Sequence, residues 1–126
     1  DKYGNEREIF TYIGHADFNK DNHKISHVFG VGDITEKWAK NDQEALKEWG
    51  NSKDAIYQMN GKVPYSLTRG NHDESYFMNK YFNEPTFRDQ FDGFYGETIN
   101  SSYKTLKVGN IDYLMIALDY GASGAI

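Results

Sequence analysis

The order of apolar and polar positions divides the chain into alternating helices and strands. Residues 5–18 carry apolar side chains near helical spacing, which predicts a helix, and the polar stretch 19–23 predicts a turn. The stretch from Ile25 to Val31 predicts a buried strand, with Val28, Phe29 and Val31 inside it. This strand ends at Gly32-Asp33.

A long helix is predicted next, from Glu36 to about Met59, with its apolar residues on one face. Gly50-Asn51-Ser52 is expected to kink or split it, because Gly and Asn end helices and Ser begins them. Gly61 is a plausible stop. A second strand, Val63 to Thr68, then runs into Arg69 and a second polar turn.

The C-terminal part of the chain has a different pattern. A short helix is predicted over Ser75 to Phe82, followed by an aromatic-rich loop from Asn83 to Gly96. Two strands are predicted over Ser102 to Val108 and Ile111 to Asp119, joined by Gly109-Asn110, a turn that is typical of β-hairpins.

This order predicts an α/β fold with a sheet of βαβ units followed by a C-terminal β-hairpin. Strands that alternate with helices favour parallel pairing. Ligands of such sheets bind at the carboxyl ends of the strands. Both strands of the predicted βαβ unit end there in a Gly-Asx element, so we expect these two elements to be neighbours.

Composition narrows the function classes. The 126 residues are enough for one domain, and the net charge of -5 argues against a broad nucleic-acid or anionic-membrane surface. The sequence has no cysteine, which excludes disulfides and zinc–thiolate sites. No apolar run approaches transmembrane length. An acidic chain can still bind phosphate esters when metal ions supply positive charge.

The element Gly70-Asn71-His72-Asp73 carries the strongest chemical signal. Glycine lets the backbone approach a ligand, an amide oxygen can ligate a hard cation, and histidine can ligate a metal or donate a proton. An aspartate beside it can hold the imidazole in one orientation. The alternative is a tight turn, which these residue types also favour.

The element Gly32-Asp33 also has two interpretations. Asp33 can be a metal ligand or the N-cap of the following helix, and Glu36 could complete a capping box with it. Turn and cap chemistry do not explain why both elements end neighbouring strands. Their convergence would bring the Asp33 carboxylate and the Asn71 amide together beside a histidine.

These residues resemble the calcineurin-like metallophosphoesterase family, whose motifs run D-x-H, GD, GNH followed by Asp or Glu, a lone His, and GHxH. Gly32-Asp33 resembles the second motif and Gly70-Asn71-His72-Asp73 the third, and residues 103–119 resemble the hairpin that follows. The resemblance covers roughly residues 25 to 120. It implies that the chain is a single partial metallophosphoesterase domain, residues 1–126.

The resemblance also implies roles for individual residues. Asp33 would bridge two divalent metal ions (Mn, Fe or Zn) and Asn71 would bind one of them. His72 would contact the phosphate or protonate the leaving oxygen, and Asp73 would orient His72. The parent protein would hydrolyse a small phosphomonoester or phosphodiester with two metal ions.

The sequence departs from the family at both ends. No D-x-H precedes Asp33, because His15-Ala16-Asp17 has the reverse order, and no histidine follows His72. The chain is therefore expected to hold at most part of the metal site and to be inactive alone, with the missing motifs in a longer parent. A truncated sheet would leave an unpaired edge, which predicts self-association.

The other hypothesis is a non-catalytic domain that keeps the scaffold and binds a ligand or partner through the aromatic segment. In that case Asp33 would be a helix cap and residues 70–73 a turn. The aromatic side chains of residues 76–95 could line a pocket, but packing in the core is the favoured interpretation.

Overall fold

The structure is a computed structural model that describes residues 25–36 and 41–121. The predicted helix over 5–18, the turn at 19–23 and the reversed motif His15-Ala16-Asp17 lie outside the described residues. The described part is a mixed α/β structure with two small sheets. Its elements follow the predicted order along the chain, with two short elements added between residues 85 and 94.

The first sheet consists of two parallel strands, β1 (Val28–Gly30) and β2 (Tyr65–Leu67). Val28 pairs with Tyr65 and Gly30 with Leu67, so both strands point the same way. The helix α1 (Asp42–Ile56) lies between them along the chain. The predicted parallel βαβ unit is confirmed, with strands shorter than the apolar runs.

Helix α1 is continuous, and the expected break at residues 50–52 is wrong. A glycine inside a helix costs only about 1 kcal/mol relative to alanine, which packing can offset. Trp49 is buried, and the buried Ser52 hydroxyl donates a hydrogen bond to the carbonyl of Ile34. After a short 3-10 turn (Tyr57–Met59), Gly61 adopts a left-handed conformation with φ 76°, so the chain does turn where a stop was expected.

The second sheet is antiparallel, in the order β3 (Gly93–Phe94), β4 (Ser102–Val108) and β5 (Ile111–Ala117). The hairpin of β4 and β5 is confirmed, and Gly109 supplies the positive φ of 62° that its tight turn needs. The hairpin thus begins and turns at the expected residues, because alternation and turn chemistry are local properties.

The segment before the hairpin is more structured than expected. Helix α2 (Ser75–Tyr81) is confirmed, but the predicted loop over residues 83–96 contains helix α3 (Pro85–Arg88) and strand β3. A proline at the first helical position explains where α3 begins. Most of the aromatic side chains of this region join the core, as favoured from sequence. The buried hydrophobic residues contributed from this region are Phe77, Met78, Phe82, Phe87 and Ile99.

Strand β1 is less buried than predicted. Phe29 is 46% exposed and Val31 is 84% exposed. Tyr65 and Leu67 of β2, by contrast, are fully or almost fully buried. Within the described residues, β1 pairs with β2 alone, so one edge and part of one face lack cover. No helix in this part of the chain is both long and apolar enough to cross a bilayer.

Candidate functional site at the ends of the parallel strands

Two loops meet where β1 and β2 end. The first loop comprises residues 31–36 and the second comprises residues 68–74. The backbone N–H of Thr68 donates to the carbonyl of Gly30 at 2.9 Å, which extends the parallel pairing up to the point where the loops begin. Because parallel strands place their carboxyl ends at one edge, the two Gly-Asx elements become neighbours, as predicted.

The two loops touch through their glycines. A Cβ atom added to Gly32, which has φ 98°, would lie 2.6 Å from Cα of Gly70. A Cβ atom added to Gly70 would lie 2.2 Å from Oδ1 of Asp33. Contacts this short leave no room for a side chain, so glycine is needed at both positions.

Asp33 points its carboxylate across the junction. Its Oδ1 accepts a hydrogen bond from the backbone N–H of His72 at 3.2 Å, and the residue is exposed. Its backbone φ of 52° is unusual for a residue other than glycine. The helix-cap interpretation of Asp33 is wrong for α1, because Asn41 is the cap and its Oδ1 accepts from the N–H of Glu44 at 3.0 Å.

Asp73 is buried at the junction and holds the two loops together through hydrogen bonds. The residue is 2% exposed. Oδ1 accepts from the N–H and the hydroxyl of Thr35 at 2.9 and 3.1 Å, and Oδ2 accepts from the N–H groups of Ile34 and Gly70 at 3.0 and 2.9 Å. The expectation that this carboxylate orients His72 is therefore corrected: it binds donors of both loops, which satisfies a buried charge.

The remaining two predicted site residues lie on the second loop between Gly70 and Asp73. Asn71 is exposed, and His72 is half-buried. The ring of His72 contacts the first loop, where Nδ1 meets the carbonyl oxygen of Glu36. All four predicted site residues therefore belong to one junction, with Asp33, Asn71 and His72 accessible from solvent and Asp73 beneath them.

A polar cluster that the sequence did not reveal connects this junction to the hairpin. Arg69 donates from Nε to Oδ1 of Asp119 at 2.6 Å, from Nη2 to the carbonyl of Tyr120 at 2.9 Å, and from Nη1 to the carbonyl of Asp73 at 3.3 Å. Asn100 donates to the other oxygen of Asp119 at 3.1 Å. Arg69 stands next to Gly70 in sequence, but no spacing rule links it to an aspartate so far along the chain.

The junction supplies hard oxygen ligands but few of them. Carboxylate and amide oxygens suit divalent cations, so Asp33 and Asn71 fit part of a metal site. Across residues 25–36 and 41–121, no group of three or more Asp, Glu, His or Cys side chains is arranged to hold a metal ion.

Comparisons with known protein families, with curated proteins and with solved structures return no match to this chain.

Proposed function

We propose that this chain is part of a metal-dependent phosphoesterase, in which the junction of the two loops binds metal ions and a small phosphomonoester or phosphodiester. The observation that carries the proposal is the direct contact of the Gly32-Asp33 and Gly70-Asn71-His72-Asp73 elements at the carboxyl ends of two parallel strands. Ligand sites of α/β sheets occupy this position.

Each residue of the junction would have its own role in binding or catalysis. Asp33 would bridge two divalent ions and Asn71 would bind one of them. His72 would contact the phosphate or protonate the leaving oxygen, while the buried Asp73 keeps the two loops in register. The ions (Mn, Fe or Zn) would supply Lewis-acid charge and lower the pKa of a bound water.

The described residues offer too few ligands for two ions, so we expect the chain alone to bind one ion weakly and to be inactive. The alternative function is a non-catalytic domain that keeps the scaffold and binds a partner. The two hypotheses differ in what the junction binds: the first requires a cation at Asp33 and Asn71, and the second does not.

Titration calorimetry with Mn²⁺ tests the proposal. The chain is expected to bind one ion, and the Asp33→Ala/Asn71→Ala double variant is expected to lose that binding because both ligands are gone. The matched control is Asn110→Ala/Asp112→Ala, which removes one amide and one carboxylate at the exposed turn of the hairpin. Binding by the control but not by the site variant would support the phosphoesterase hypothesis.

Equal binding by all three proteins would place the ion elsewhere and refute the assignment. A complete lack of binding would favour the non-catalytic alternative. Circular dichroism of each variant checks that folding is retained, because an Asp33 variant that unfolds would indicate a structural role.

A further inference from the structure

The imidazole of His72 is anchored to the first loop through one of its two nitrogens. Nδ1 contacts the main-chain carbonyl oxygen of Glu36, while the backbone N–H of His72 donates to Oδ1 of Asp33 at 3.2 Å. A carbonyl oxygen carries lone pairs and no proton, so it can only accept a hydrogen bond. The contact therefore requires a proton on Nδ1.

The carboxylate of Asp73, next to His72 in sequence, already has hydrogen-bond donors at both of its oxygens. Oδ1 of Asp73 accepts two hydrogen bonds from Thr35, Oδ2 accepts one each from Ile34 and Gly70, and the residue is 2% exposed. Histidines in metal and catalytic sites are usually held through the second nitrogen by a carboxylate, a backbone carbonyl or water. In this junction the carbonyl of Glu36 holds the imidazole, and the carboxylate of Asp73 instead accepts hydrogen bonds from the backbone of both loops.

We propose that the carbonyl of Glu36 fixes His72 in the tautomer that carries its proton on Nδ1, so that Nε2 keeps the lone pair and is the ring nitrogen left to interact with a ligand. For the neutral ring, a proton on Nδ1 defines the tautomer. That Nε2 binds a divalent cation beside Asp33 and Asn71, in place of the contact with the phosphate or leaving oxygen given above, rests in addition on the cation site of the proposed function.

This arrangement makes Glu36 a positioning residue that acts through its main chain. Its side chain can be replaced without loss of the contact, so the sequence gives no sign of the role. The same carbonyl also ties the second loop to the first at a point away from Asp73. The junction therefore has two separate anchors, one buried and one near the surface.

Long-range ¹H–¹⁵N correlation spectra of the ¹⁵N-labelled chain, recorded where imidazoles are neutral, distinguish the tautomers. The His72→Gln variant identifies the His72 signals by their disappearance, and His27→Gln should leave them in place. The expected result is a pyrrole-type shift for Nδ1 and a pyridine-type shift for Nε2. The reverse pattern, or an average of the two, would overturn the proposal.

A titration with Zn²⁺, a diamagnetic probe, then tests the ligand assignment. A shift of Nε2 that saturates, with Nδ1 keeping its pyrrole-type position, supports it, and displacement of the proton from Nδ1 refutes it. If neither Zn²⁺ nor Mn²⁺ binds, the proposed function and the cation assignment fail together. The tautomer measured without metal still decides the role of Glu36, so the two failures are distinguishable.

Discussion

At the scale of single residues, Gly70 allows the two loops to approach, because Asp33 of the first loop lies directly against it. The Cβ of an alanine there would meet Oδ1 and the backbone nitrogen of Asp33 at 2.2 and 2.3 Å. Backbone atoms cannot rotate away from such a contact, so the two loops would have to separate. Gly50 is the contrast, since a Cβ there meets nothing within 4 Å.

Gly70→Ala is therefore expected to destabilise the chain by roughly 2–3 kcal/mol through steric overlap. Gly50→Ala should stabilise it by about 0.5–1 kcal/mol, because alanine is the better helix former inside α1. Urea unfolding of both variants beside the unsubstituted chain measures the two changes. Equal and small effects would mean that the loops do not touch as described.

At the scale of elements, His27 lies beside residues of both sheets. It precedes β1, and its Nε2 lies 3.0 Å from the hydroxyl of Ser66 on β2. Burial lowers the pKa of His27 from 6.5 to about 4, with a further contribution from Lys104 on β4. Burial disfavours the charged imidazolium, and a nearby cation does the same.

Stability should consequently depend on pH between about 4 and 6.5. The unfolded chain takes up a proton at His27 near pH 6.5, whereas the folded chain resists it until pH 4, so protons favour unfolding in this window. The contribution of His27 to the free energy of unfolding is fully present above pH 6.5 and is lost as the pH falls to 4. The expected loss is about 1–2 kcal/mol, reduced from the full linkage value because the ring is only half-buried.

Unfolding measured at several pH values, on the chain and on His27→Gln, checks this expectation. The glutamine variant should lose most of the slope between pH 4 and 6.5, since it has no titrating ring at this position. An unchanged slope in His27→Gln would assign the pH dependence to other groups.

At the scale of the whole molecule, the hairpin leaves apolar surface uncovered. In the described part of the chain β5 pairs only with β4, so its other edge is open. Leu114 and Ile116 on one face, and Ile111 and Tyr113 on the other, are 46–62% exposed. Apolar residues on both faces are typical of a strand inside a covered sheet.

We therefore expect the chain to self-associate, with a second copy covering the β5 edge and the exposed faces of the hairpin. Sedimentation velocity over a range of concentrations should show a shift to larger species. The Leu114→Lys/Ile116→Lys variant should shift the equilibrium to monomer, because two charges on one face disfavour close contact. A single monomer peak at high concentration for the unsubstituted chain would refute the expectation.

The hairpin and the ends of the parallel strands could be predicted from the sequence, because each is marked by turn residues within a few positions of it. The Gly109-Asn110 turn gives the hairpin its place, and the Gly-Asx elements give the strand ends. The predictions that were wrong, the break in α1 and the unstructured loop after Asn83, fell where tertiary packing overrides local preference. Ser52 is held in a continuous helix by its bond to Ile34, and the loop after Asn83 folds around Phe87 in the core.

The sequence by itself determined the order of the elements other than α3 and β3, and the parallel βαβ unit, because periodicity and turn chemistry act between near neighbours along the chain. Its two Gly-Asx elements also predicted that Asp33 and residues 70–73 would meet. Only the tertiary structure decided what those residues do to one another. Asp73 binds donors from Ile34, Thr35 and Gly70 and not the ring next to it, and Arg69 reaches Asp119. Such contacts join residues distant in sequence, so they depend on how the loops pack, and no spacing rule encodes that.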